Sequence, residues 1–156
     1  MRDETQLPMK RILVALDWSP RAAGVLAMAS SLARTEGAEL YLFHAVGLPA
    51  GVPTDAFRSS PGELVEQWRA EAVRDLEQRG ASLDPNLVIH VLVRVGSPWS
   101  AICEAARAHA VDLVVVGSHG YDAVDHLIGT TAAKVVNHAR CSVLVVREAA
   151  PSKASD

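Results

Sequence analysis

A chain of 156 residues, 49% of them hydrophobic, can close one core of ordinary size, so a single domain is expected. A formal net charge of -3 and an aromatic content of 4% provide no basic surface and few stacking platforms, which sets nucleic acid aside as a partner. No apolar run approaches the roughly 20 residues of a membrane span, and Met1 to Pro8 has no signal-peptide core, so a cytoplasmic protein with no membrane partner is expected.

Lys10 to Leu16 reads as a short apolar strand, after which Ser19-Pro20 starts a helix that carries Ala22, Val25, Leu26, Ala29, Leu32 and Ala33 on one face and stops at Gly37. Glu39 to Val46 returns as a second strand, and the Gly- and Pro-rich run 47–53 that follows is loop. Ser60-Pro61-Gly62-Glu63 has the form of a capping box, with an apolar stripe of Leu64, Val65, Trp68, Ala72 and Leu76 behind it up to Gly80. Trp68 is expected in the core. Leu87 to Val95 is a third strand, Ser97-Pro98 opens a third helix through about His109, Asp112 to Val116 is a fourth strand, and Ser142 to Arg147 is a fifth. Residues 9–148 thus form the domain, with 1–8 and 149–156 as frayed ends. Cys103 and Cys141 lack metal-ligand spacing and are expected as small core residues.

Strands that alternate with helices throughout form a parallel sheet covered on both faces, an open Rossmann-like α/β domain. In such sheets the ligand lies beyond the carboxyl ends of the strands, where the strand order reverses. The residues to read are therefore Asp17 after the first strand, Ala45 and Val46 at the end of the second, Gly96 after the third and Gly117 after the fourth.

The stretch from Leu113 to Thr131 says most about chemistry. The valine-rich run 113–116 breaks into Gly117-Ser118-His119-Gly120, whose two glycines let the backbone turn tightly against a ligand. Gly129-Thr130-Thr131 then opens a helix through His138, and the free N–H groups of a helix N-terminus favour an anion. Asp17 has two readings, as an acceptor for a ligand's hydroxyls and as a cap, shared with Ser19, of the helix that follows. His44, inside an apolar strand, and His119 can each be structural.

The segments 10–17, Leu42-Phe43-His44-Ala45-Val46, Gly96-Ser97-Pro98, 112–120 and 141–147, taken in order, resemble the universal stress protein family over almost the whole chain. The resemblance implies a five-stranded sheet in the order 3-2-1-4-5, a homodimer formed through the last strand and, in one branch, ATP or another adenine nucleotide (ADP or AMP) bound between strands one and four. It implies that Asp17 holds the ribose hydroxyls, that backbone of Ala15, Leu16 and Ala45 lines the adenine, that Gly117, His119 and Gly120 wrap the ribose and phosphates, and that Gly129 and Thr130, with Thr131 beside them, hold the phosphates; Val46 and Val116 complete the set.

Two features depart from the nucleotide-binding pattern. Tyr121 to Ile128 places eight residues between Gly120 and Gly129, one fewer than in the members it resembles. Either the loop re-routes and keeps Gly129 and Thr130 in role, which is the reading adopted here, or the register holds and Thr130 takes the place of a glycine, in a geometry that a β-branched residue disfavours. The loop also carries Asp122 and Asp125, which repel a triphosphate unless Mg2+ lies between. The leading expectation is a stress-response regulator that binds an adenine nucleotide. Its alternatives are a nucleotide-free dimeric module that docks on other proteins and, since neither a nucleophile constellation nor a Walker lysine is apparent, at most a slow ATPase.

Overall fold

The computed structural model describes residues 9–47, 61–118 and 128–147, over which strands and helices alternate as β1 (Arg11–Ala15), α1 (Ala22–Glu36), β2 (Glu39–Val46), α2 (Pro61–Ala81), β3 (Ile89–Val95), α3 (Pro98–Ala108), β4 (Leu113–Gly117), α4 (Thr130–His138) and β5 (Ser142–Val146). Every strand and helix read from the sequence is present. The strands form one parallel sheet in the order β3-β2-β1-β4-β5, as the resemblance implied. Ser60, the first residue of the expected capping box, lies outside the described residues, as do 1–8 and 148–156.

The boundaries shift for local reasons. The α1 helix starts at Ala22 rather than Ser19, because Ser19 is held in a turn by Asp17 and its carbonyl accepts from the N–H of Ala22 at 3.1 Å. The β3 strand starts at Ile89 rather than Leu87, because Asp84 accepts from the N–H of Asn86 through Oδ1 and from that of Leu87 through its carbonyl, which prolongs the preceding turn. The α2 helix does not stop at Gly80. It continues to Ala81, and Gly80 faces the sheet closely enough that a Cβ there would lie 3.4 Å from Ile89 Cγ2 and 3.4 Å from Leu42 Cδ1.

Strand alternation sorts the core into two layers. On one face Ile12, Val14, Leu40, Leu42 and Val115 pack against α1 and α2 through Val25, Leu26, Ala29, Ala72 and Leu76. On the other, Leu13, Phe43, Val114 and Val116 pack against α3 and α4 through Ile102, Ala105, Ala132 and Val135. Trp68 packs against the first layer but remains half-buried, and Cys103 and Cys141 are only partly buried rather than core residues. Among the described residues, no helix is long and apolar enough to cross a membrane.

Two glycines of α1 give opposite expectations for one substitution. Gly37 closes the helix at φ 66°, with its N–H donating to the carbonyl of Ala33, and a side chain there meets open space but a strained backbone. Gly24 lies within the helix, also facing open space. Gly37→Ala is expected to lower the free energy of unfolding by about 1 kcal/mol, and Gly24→Ala to raise it by up to about 1 kcal/mol, in urea titrations of the two variants. Shifts of the same sign in both would contradict this account of the cap.

Candidate functional site

At the centre of the sheet β1 pairs with β2 on one side and with β4 on the other, and the order reverses between β1 and β4. Beyond the carboxyl ends of these strands lies a cleft of about 410 Å³, within the range of small-molecule sites. Its floor is the strand ends: Ala15, Leu16, Phe43, Ala45, Val116 and Gly117. Its walls are the amino ends of three helices: Arg21, Ala22 and Val25 from α1, Pro98 and Ile102 from α3, and Gly129 to Ala132 from α4. Asp17, Ser19 and Ser118 stand at the turns between.

Of the residues expected from the sequence, Ala15, Leu16, Asp17, Ala45, Val116, Gly117, Gly129, Thr130 and Thr131 all line this cleft. Val46 does not: it is buried in the α2-facing layer and opens instead into a neighbouring hollow. Gly96 lies elsewhere too. It takes φ 141° and its N–H donates to the carbonyl of Val46 at 3.0 Å, a turn that ends the β2–β3 pairing. His119 and Gly120, with Asp122 and Asp125, lie outside the described residues.

Asp17 is not a helix cap. Its Oδ1 accepts from the N–H of Ser19 at 2.9 Å and from its hydroxyl at 2.5 Å, while the cap position of α1 is Arg21, with no side-chain cap bond. Among the described residues nothing donates to Asp17 Oδ2, so the half-buried carboxylate keeps one acceptor oxygen at the cleft. Across the cleft, the N–H of Gly129 donates to the carbonyl of Ser118 at 2.6 Å and so joins the two ends of the intervening loop. Gly129 is the cap residue of α4 with an extended backbone, and Thr130 is already helical, so Thr130 does not adopt the positive φ of a glycine site.

Among the described residues no side chain caps α4, and its first bond inside the helix is from the N–H of Ala133 to the carbonyl of Gly129. The N–H groups of Thr130, Thr131 and Ala132 therefore have no acceptor among the described residues, and all three residues line the cleft. Three donors without an acceptor among the described residues, at the positive end of a helix dipole and flanked by two threonine hydroxyls, form a seat for a phosphate-like anion. A carboxylate opposite them suits a neutral hydroxylated group, since an anion near Asp17 would be repelled. The described residues thus fit a phosphorylated nucleoside. They hold no cluster of His, Cys, Asp and Glu that could bind a metal ion.

His44, read as structural, is 9% exposed, and its Nδ1–H donates to the carbonyl of Leu16 at 2.7 Å. Burial pushes its pKa below the ordinary 6.5, against the opposing pull of that bond and of Asp17 and Asp75. The sequence reading missed Arg21, Phe43, Pro98 and Ile102 at the cleft. For Arg21 and Pro98 the signal was present, since both begin helices that follow strands ending at the same rim; for Phe43 and Ile102 it was not, because a buried strand residue and an apolar helix residue look alike whether or not they border a cavity.

The Universal stress protein family matches residues 8–147 of the chain. Universal stress protein A homolog 2 of Coxiella burnetii is 34% identical over 149 residues, which span 88% of this chain and 94% of that protein. The structure of universal stress protein UspA from Lactobacillus plantarum superposes with a TM-score of 0.73 at 26% identity, over 91% of this chain and 100% of the other. The fold also matches a universal stress protein in complex with cAMP (TM-score 0.65, 21% identity, 90% of this chain and 98% of that one) and that of Archaeoglobus fulgidus in complex with dAMP (TM-score 0.56, 22% identity, 89% and 98%).

The buried imidazole makes stability depend on pH in a definite direction. Its pKa is lower in the folded chain than in the unfolded one, so the unfolded state binds more protons as the pH falls below about 6.5. The contribution of His44 is therefore fully present above the unfolded value and is lost as the pH drops towards the folded one. Urea titrations at pH 7.5 and pH 5.5 are expected to show a smaller loss of stability on acidification in His44→Gln than in the wild type; equal losses would show that His44 is not held neutral.

Proposed function

The chain belongs to the universal stress protein family, and from that premise we propose that it is a stress-response regulator that binds an adenine nucleotide in the cleft between β1 and β4. The observation that carries this reading is that one acceptor carboxylate, Asp17, and the amino end of α4, which no side chain caps among the described residues, line the same cleft. A nucleotide has the matching polarity. Its ribose offers two hydroxyl donors to Asp17 Oδ2, its phosphate accepts from the N–H groups of Thr130, Thr131 and Ala132, and its base lies on the apolar floor of Ala15, Leu16 and Ala45. Relatives of the same fold in complex with cAMP and dAMP support the nucleoside class. Because Gly129 already donates to Ser118, the phosphate donors of this chain are those of Thr130, Thr131 and Ala132.

In this role the protein does not need to turn its ligand over. The nucleotide joins the β1–α1 turn to the end of α4, and binding that favours one arrangement of these elements converts nucleotide level into a population of states. Where ATP is the ligand, Mg2+ bound to its phosphates offsets their charge. The cytoplasm is the corresponding compartment. The β5 strand is the natural place for a second copy: it is an edge strand whose Val143, Leu144, Val145 and Val146 are only half-buried, and it carries no charged residue, whereas the other edge, β3, carries Arg94 and His90.

Titration calorimetry with AMP, ADP and ATP tests the site. Asp17→Ala is expected to weaken binding by about ten- to hundredfold, the loss of about 1.5 to 3 kcal/mol from a charge-assisted bond, with circular dichroism unchanged. Asp17→Asn, which keeps an acceptor for Ser19, should lose nearly as much; affinity equal to the wild type in both would leave Asp17 as a turn-former only. For assembly, sedimentation at micromolar concentration is expected to show a dimer that Val145→Lys shifts towards monomer, and a monomeric wild type would contradict pairing through β5.

A further inference from the structure

Beside the cleft, on the α2 side of β2, lies a second hollow of about 600 Å³, bounded by the indoles of Trp18 and Trp68, the imidazole of His44 and the carboxylates of Glu71 and Asp75. We infer that this hollow binds a small protonated primary amine. Three of its polar groups, His44, Glu71 and Asp75, each keep an acceptor site to which no described residue donates. His44 donates through Nδ1 to the carbonyl of Leu16, so Nε2 bears a lone pair, and among the described residues nothing donates to it although the side chain is nine-tenths buried. Glu71 uses Oε1 for Gln67 and Asp75 uses Oδ2 for Arg79, which leaves Oε2 of the one and Oδ1 of the other open among the described residues. A buried acceptor without a donor is costly, and an ammonium supplies three donors at once.

The aromatic walls favour the same charge. The Trp18 ring already holds a cation of this chain, the Arg79 guanidinium, with Cζ 5.8 Å from its centroid, and lies tilted against the His44 ring with centroids 4.2 Å apart. That guanidinium is fixed by Asp75 at 2.6 Å, so of the two carboxylates at the hollow it balances only one. Trp18 is 44% exposed, an unusual position for an indole with no further task, and Trp68, half-buried against the core, forms the second apolar wall. A quaternary ammonium would satisfy the indoles and the charge but not His44 Nε2, which requires an N–H. The hollow meets the nucleotide cleft at His44 and Ala45, which line both, yet nothing in this assignment depends on a nucleotide being bound.

The test is a titration of the full chain with putrescine, followed by the indole N–H resonances of Trp18, Trp68 and Trp99, the last of which borders a different groove. Putrescine is expected to shift Trp18 and Trp68 saturably and to leave Trp99 in place. Its neutral counterpart 1,4-butanediol should shift none of them, and tetramethylammonium should bind more weakly than putrescine because it has no N–H. Glu71→Gln and Trp18→Leu, both at exposed positions, should each weaken binding by about five- to tenfold. Nα-acetyl-lysine methylamide, run in parallel, separates the sources of the amine: tighter binding than putrescine assigns the hollow to a lysine side chain of a protein partner, weaker binding to a free amine. Equal shifts with the diol, equal movement of Trp99, or no shift at tens of millimolar putrescine would overturn the assignment.

Discussion

The hydrogen-bonded seam between β1 and β4 is the feature on which the rest of the molecule depends. Ile12, Leu13 and Val14 lie in register with Leu113, Val114 and Val115, and all six are buried, so the seam is set by backbone pairing and by core packing on both faces. Asp112 fixes its lower end. One carboxylate oxygen accepts from the N–H groups of Lys10 and Arg11 at 2.8 and 2.9 Å, and its own N–H donates to the carbonyl of Arg11 at 2.9 Å. From the upper end the chain continues from β1 towards β2 and from β4 towards β5, in opposite directions across the sheet. The cleft lies where these directions diverge.

The electrostatics of the cleft follow from the same arrangement. A parallel sheet with short connections brings the amino ends of the helices to the carboxyl ends of the strands, and α1, α3 and α4 all reach this rim. Their dipoles favour an anion. The Asp17 carboxylate sets the other pole, and the neutral, buried His44 holds the carbonyl of Leu16 between them without adding a charge. Polarity along the cleft, more than any one contact, distinguishes a ligand with a hydroxylated middle and an anionic end from a simple phosphate.

Much of this was legible in the sequence, because its strongest signals are those of a doubly covered parallel sheet. The valine-rich run before Gly117 marks β4, the Ser97-Pro98 pair marks the start of α3, and Gly37 marks the end of α1, each through a local rule that tertiary contacts left in force. What misled was short-range competition. Ser19-Pro20 has the form of a helix start, but the Asp17 carboxylate captures Ser19 two residues on and delays the helix to Ala22. Gly80 has the form of a helix stop, but it serves as a place of close approach to Leu42 and Ile89. The bond from Gly129 to Ser118 was not legible at all, since it joins residues on either side of a loop whose path sequence patterns do not encode.

The central claim is that α4 presents its unpaired amides to the phosphate of an adenine nucleotide while Asp17 holds the ribose. Amide hydrogen exchange and chemical shifts, followed residue by residue as AMP or ATP is added, measure this directly. The account predicts slowed exchange and saturable shifts at Thr130, Thr131 and Ala132, perturbation at Asp17 and Gly117, and little change in protection at Gly129, whose N–H is already bonded to Ser118. Saturable binding that leaves the first turn of α4 unchanged, or the absence of binding by any adenine nucleotide at millimolar concentration, would contradict it.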